Sequence, residues 1–180
     1  MNAAIPLVIL LASAQLASAA TCESVKSLAL ANTAITMAEP VVAGAFTQPG
    51  GRGAQQFAGL PAFCRVAATL RPVNDSEIKI EVWLPSAGWN GKLQSVGNGA
   101  WAGSISYPAL GAALSAGYAT ASTDTGHTGN NPNFIPGHPE KVIDFAHRAV
   151  HEMTVAAKSI ITAYYGNGPK RSYWNGCSTG

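Results

Sequence analysis

From Lys92 onward the chain alternates between strand-like and helix-like stretches, and this alternation constrains the fold more than any other feature. Lys92 to Val96 reads as a short strand, Gly97 to Gly103 as a glycine-rich turn, Pro108 to Ala116 as a helix and Gly117 to Thr123 as a second strand. Asp124 to His138 is a long polar loop. Val142 to Tyr165 then carries Ala149, Val150, Met153, Ala157, Ile160, Ile161 and Tyr164 mostly at spacings of three and four, the period of a helix with one apolar face. Gly166 and Gly168-Pro169 end it, and Arg171 to Trp174 forms a third strand. Strands joined through helices pair in parallel, with the helices laid over the sheet, so the sequence predicts an α/β fold.

The first half supplies the remainder of a sheet. Phe63 to Leu70 and Glu77 to Leu84 read as two strands joined by a turn at Pro72, Asn74 and Asp75, a hairpin. In the second strand Ile78, Ile80, Val82 and Leu84 alternate with Lys79, Glu81 and Trp83, so one face is expected to pack and the other to be partly solvated. Glu23 to Ala34 is expected to be a short helix, Ile35 to Val42 a β-rich stretch and Gln48 to Gln56 a loop. No internal repeat is visible. With 47% hydrophobic and 11% charged residues, disorder is excluded. Eleven Lys and Arg against nine Asp and Glu give a net +2 with no dense basic cluster, so nucleic acid is not an expected partner. A chain of 180 residues allows one domain, or part of one.

Residues 1–19 have the form of a cleaved signal peptide: an apolar run from Ile5 to Leu11, then the small-x-small pattern Ala17-Ser18-Ala19. The run is too short for a membrane span, and no other segment comes closer. Export, to the cell exterior or the periplasm, would put the three cysteines in an oxidising compartment. Cys22 and Cys64 can pair, which leaves Cys177 without a partner.

Directly after the last strand comes Gly176-Cys177-Ser178-Thr179-Gly180, a G-x-S-x-G pattern. Such a turn between strand and helix projects a serine hydroxyl above the carboxyl edge of a parallel sheet. The chemistry it serves needs an oxyanion hole, one amide from the residue after the serine and another from a glycine-rich loop after an earlier strand. Thr179 is the first donor, and Gly97-Asn98-Gly99 follows the strand ending at Val96. The serine also needs a histidine base and a carboxylate, which in this fold class come later in the chain, in the order serine, acid, histidine. Internal candidates are His127 with Asp124, His138, and the pair His147 and His151, which would share a helix face. Asp124-Thr125-Gly126-His127 follows the carboxyl end of a strand and is expected to line the substrate pocket rather than to complete the triad.

With these motifs placed, the chain resembles the tannase and feruloyl esterase family of secreted α/β-hydrolases, which includes hydrolases of terephthalate monoesters. The resemblance rests on Phe63-Cys64-Arg65-Val66, Gly97-Asn98-Gly99 with Ala102-Gly103, Ser122-Thr123-Asp124-Thr125-Gly126-His127 and Tyr173-Trp174-Asn175-Gly176-Cys177-Ser178-Thr179-Gly180. It implies an α/β-hydrolase fold with Ser178 as nucleophile, Thr179 and Gly99 or Gly97 as oxyanion donors, and a Cys22–Cys64 disulfide. It implies further that Cys177 pairs with a cysteine that follows the catalytic histidine. On this reading residues 20–180 are the N-terminal part of a catalytic domain ending at the elbow. The acid, the histidine, the partner of Cys177 and a lid that often binds calcium lie elsewhere. The expected substrate is a small aromatic ester, of hydroxycinnamoyl or galloyl type. No cofactor or metal is expected within these residues, and the segment by itself is expected to be inactive. Competing readings are a secreted binding or structural domain in which the last five residues are a plain turn, and a thiol enzyme using Cys177. The latter lacks a nearby base other than Lys170 and Arg171.

Overall fold

The computed structural model describes residues 20–50 and 54–180, so the expected signal peptide lies outside the described residues, as does part of the Gln48 to Gln56 loop. Strands β1 (Thr33–Val41), β2 (Phe63–Leu70) and β3 (Ile78–Pro85) form an antiparallel meander. The second half adds β4 (Lys92–Val96), the two-residue strand β5 (Ala102–Gly103), helix α1 (Tyr107–Ser115), β6 (Ala119–Thr123) and the two-residue strand β7 (Gly129–Asn130). Helices α2 (Pro139–Ile143) and α3 (Ala149–Tyr165) and strand β8 (Arg171–Asn175) complete the order. The main sheet runs β1-β2-β3-β6-β4-β8; β3 meets β6 antiparallel, while β6, β4 and β8 are mutually parallel. This is the α/β arrangement that the alternation predicts.

Both faces of the sheet are covered, by different helices. On one, Ala149, Met153, Ala157, Ile160 and Ile161 of α3 bury against Val66, Leu70, Ile80, Val82, Leu93 and Ala121. On the other, Leu110, Ala113 and Leu114 of α1 close over Phe63, Trp83 and Val96 with Phe46 and Phe57. Each large side chain taken fully out of water contributes about 1.5–3 kcal/mol. The two crossovers leave the adjacent strands β4 and β6 toward opposite faces, and a crevice opens beyond the carboxyl ends where such connections part. A Cys22–Cys64 disulfide, its α-carbons 5.4 Å apart, ties the N-terminal segment to the start of β2.

On the face of β3 expected to be partly solvated, Lys79 is exposed but Glu81 and Trp83 are buried. Trp83 is fully enclosed by the Phe46 and Phe63 rings, and Glu81 is held by Arg65, by the Trp83 indole N–H at 2.8 Å and by the Tyr107 hydroxyl at 2.9 Å. A charge can sit inside there because every lone pair has a donor. The expected helix over Glu23 to Ala34 is confined to a 3-10 turn, Glu23–Ser27, before β1 begins. The predicted polar loop contains β7 and a 3-10 turn at Pro132–Phe134.

The helix expected from Val142 starts earlier, at Pro139, and carries a π-turn over Asp144–Arg148 before continuing as α3. Asp144 is completely buried in that turn, accepting from the Ser76 hydroxyl at 2.8 Å and paired with Arg148 Nε at 3.1 Å. Gly166, at φ 77, ends α3 in the left-handed conformation that glycine adopts without a steric cost. No helix among the described residues is long and apolar enough to cross a membrane.

Candidate active site

Three loops meet at the carboxyl ends of β4, β6 and β8. Beyond β8 the chain turns sharply, the Gly180 amide donating back to the Cys177 carbonyl at 3.2 Å, and Ser178 at the apex has φ 61. A non-glycine residue there is strained. Glycines make the turn possible. A β-carbon on Gly176 would overlap the carbonyl carbon of Gly180 and lie 2.8 Å from Trp174 Nε1; one on Gly180 would overlap the Asn98 carbonyl; one on Gly97 would lie 2.6 Å from Gly180 Cα. Gly97 and Gly180 therefore demand glycine because the loop after β4 and the turn after β8 approach backbone to backbone, and Gly176 because that turn closes on itself at Gly180.

The loop after β4 is tied to its surroundings. The Asn98 side-chain amide donates to the carbonyls of Ala102 at 3.1 Å and Thr123 at 3.0 Å, and the Thr179 hydroxyl donates to the Ala100 carbonyl at 2.8 Å. Of the two glycines expected to offer an oxyanion donor, Gly97 has its amide engaged by the Asn175 carbonyl at 3.0 Å. The amides of Gly99 and Thr179 donate to no protein acceptor among the described residues, and the Gly99 α-carbon faces the Cys177 carbonyl. Ala100 and Thr125 share the left-handed conformation of Ser178, at φ 49 and 59. Strained backbone thus occurs in all three loops, where functional sites concentrate it.

Alternate residues of the segment after β6 face different cavities. Thr123 and Thr125 line a small one, about 50 Å³, with Gly97, Asn98, Thr179 and Phe145 of the π-turn. Asp124 and His127 line a second, about 290 Å³, with Lys79, Phe134, His138 and Lys141. The elbow and the Asp124–His127 pair are therefore neighbours but do not share a cavity. His127 is buried, stacked on Phe134 at 3.9 Å, and its Nε2 lies 2.8 Å from the Trp101 carbonyl. A carbonyl only accepts, so Nε2 carries a proton; Nδ1 lies 3.2 Å from the Thr125 hydroxyl. Asp124 accepts the amides of Lys79 and Gly126, both at 2.9 Å, yet burial outweighs those bonds and pushes its carboxyl up to about 6.

No histidine among the described residues hydrogen-bonds Ser178: His138 pairs with Asp75 at 2.9 Å, and His147 and His151 are exposed on the helix. Cys177 is exposed and free. No group of three or more His, Cys, Asp or Glu among the described residues is placed to hold a metal ion. Asn98, Thr125 and Phe145 were not legible as site residues, because their placement depends on loops far apart in sequence and on a π-turn that no periodicity marks.

The sequence profile described as "Tannase and feruloyl esterase" matches residues 64–180. An uncharacterized esterase of Xanthomonas campestris pv. campestris is 44% identical over 165 residues, covering 91% of this chain and 28% of that protein. A probable feruloyl esterase B-1 of Aspergillus flavus is 40% identical over 117 residues, 65% of this chain and 22% of that protein. The crystal structure of feruloyl esterase B from Aspergillus oryzae superposes with a TM-score of 0.79 at 35% identity, over 88% of this chain and 32% of that one. The chain thus spans about a quarter of the length of the curated relatives it matches.

Proposed function

The chain belongs to the tannase and feruloyl esterase family, and from that membership we propose that it carries the nucleophile and the oxyanion side of a serine carboxylic-ester hydrolase acting on aromatic esters of the hydroxycinnamoyl or galloyl type. One observation carries the reading: Ser178 stands at φ 61 on a turn whose neighbours must be glycine, pressed against the loop after β4. In the first step Ser178 Oγ bonds to the ester carbonyl carbon and gives its proton to a histidine base. The carbonyl oxygen, now anionic, is held by the amides of Thr179 and Gly99. The alcohol leaves with that proton, and water then cleaves the acyl-enzyme by the same route.

The reading assigns the base and its carboxylate to positions outside residues 1–180, in the order serine, acid, histidine. The engagement of His127 Nε2 by the Trp101 carbonyl and the pairing of His138 with Asp75 support that assignment. It takes residues 1–19 as a secretory signal and residues 20–180 as the first part of the catalytic domain. Cys177 is then a half-cystine joined to the residue after the histidine, and any calcium belongs to the lid. Export to the cell exterior or the periplasm fits the Cys22–Cys64 disulfide.

The test is Ser178→Ala in the protein expressed from its own gene. Turnover of a methyl hydroxycinnamate should fall by about ten-thousandfold or more, and a fluorophosphonate should label Ser178 in the parent alone. Full turnover in the variant would sink the assignment of Ser178, and a parent without turnover or labelling would leave a secreted binding domain.

A further inference from the structure

We propose that His127, with Asn98 and the Thr179 side chain, is a positioning residue that locks the stretch directly after Gly99, so that the Gly99 amide keeps its place beside the reacting ester oxygen and no carbonyl of that stretch turns toward it; the inference rests on the roles given above to Ser178 and that loop. The observation is a run of four consecutive carbonyls, each with its own donor. The Gly99 carbonyl accepts from the Ala102 amide at 3.1 Å, Ala100 from the Thr179 hydroxyl at 2.8 Å, Trp101 from His127 Nε2 at 2.8 Å and Ala102 from the Asn98 side chain at 3.1 Å. A peptide group is planar, so fixing these four C=O groups fixes the N–H groups of Ala100, Trp101, Ala102 and Gly103, the stretch that directly follows Gly99 and anchors it from its carbonyl side. With four successive planes fixed, Ala100 is held at φ 49 and no carbonyl in the run is free to turn toward a developing negative charge.

The donors come from separate parts of the fold: the loop itself, the elbow and the segment after β6. His127 is the most firmly anchored. It is buried, stacked on Phe134 and set edge-on to Phe145 at 5.5 Å. Gly103 lets the loop lie directly on it, since a β-carbon there would come within 2.7 Å of the imidazole Cδ2. The Nε2 proton is committed to the Trp101 carbonyl, so His127 serves through a fixed N–H rather than by carrying a proton to or from the ester. Such donors accelerate a reaction only if they are in place before the charge forms, and a misplacement of about 1 Å can cost about a hundredfold.

The experiment measures kcat and KM for a methyl hydroxycinnamate with the protein expressed from its own gene, in two pairs of variants. His127→Phe keeps the packing and loses the N–H; His127→Gln keeps a donor near Nε2. Thr179→Val loses the hydroxyl; Thr179→Ser keeps it. The expected result is a fall in kcat of about ten- to hundredfold for His127→Phe and Thr179→Val with KM changed less than about threefold, and recovery of most of the loss in His127→Gln and Thr179→Ser. Unchanged kcat in the first variants, a rise in KM alone, or equal losses within each pair would overturn the proposal. Should His127→Phe fail to fold, the exposed Thr179 pair decides. Ser178→Ala is measured alongside: if it retains turnover, both the nucleophile assignment and this inference fall. If it is inactive while the clamp variants behave as the parent, only this inference does.

Discussion

Ser178, Ala100 and Thr125 hold left-handed backbone at a cost of roughly 1–2 kcal/mol each, and the turn survives because glycines beside it remove the steric conflict. Asp124 is a second residue kept at a cost. Burial raises its carboxyl from 3.8 to about 6 despite two amide donors. Between these values the folded chain holds a proton that the unfolded chain has released, so this residue's contribution to stability falls as pH rises from about 4 to 6. Asn at 124 keeps an oxygen for the Lys79 and Gly126 amides and cannot ionise. Relative to Asp124→Asn, the parent should therefore lose about 3 kcal/mol of stability between pH 4 and pH 7, read from urea midpoints at each pH. Parallel curves would show that Asp124 titrates normally. At this scale the elbow was legible, because five adjacent residues carry it. The roles of Asn98, Thr125 and His127 were not, since each depends on a carbonyl or ring supplied by another loop.

At the scale of elements, β2 and β3 are held together by more than their ladder. Arg65 on β2 reaches Glu81 on β3 with an Nε contact at 2.9 Å, and Trp83 and Tyr107 complete the carboxylate's partners inside an aromatic cluster. Glu81→Ala would leave a guanidinium with 14% side-chain exposure unpaired and two further donors without an acceptor. The expected loss is about 3–5 kcal/mol, seen as a lower denaturant midpoint. The double change Arg65→Met with Glu81→Leu should restore the part due to the unpaired guanidinium, while Trp83 and Tyr107 still lack their acceptor; a double variant as unstable as the single would refute this account. The sequence pattern located β2, β3, β4, β6 and β8 to within two residues, because each is a short β-forming run bounded by turn residues. It erred on the outer face of β3 at Glu81 and Trp83, which are buried, whereas Lys79 on that face is exposed as expected. Phe46 and Phe57 arrive from the loop before β2 to cover that face, and no local pattern encodes their arrival. The π-turn was hidden for a related reason: Ser76, from the turn between β2 and β3, fixes Asp144 from outside the helix.

At the largest scale, the described residues form a six-stranded sheet covered by α1 on one face and α3 on the other, with β8 as an edge strand among them. All five residues of β8 are exposed, Tyr173 by 42% and Trp174 by 43%, although β8 carries the turn bearing Ser178 directly beyond it. An exposed edge strand with large apolar side chains is a template for pairing with another chain. Residues 20–180 expressed by themselves should therefore self-associate through β8 and show no ester turnover. Sedimentation velocity on that segment should give dimers or larger species at micromolar concentration, and Trp174→Lys, which puts a charge on the edge, should shift it toward monomer. The elbow would stay inactive in that monomer, because Ser178 has no hydrogen-bonded histidine among the described residues. A monomeric segment that unfolds cooperatively would show that β8 needs no cover. Turnover by that segment, lost on Ser178→Ala, would show in addition that a base for Ser178 lies within residues 20–180.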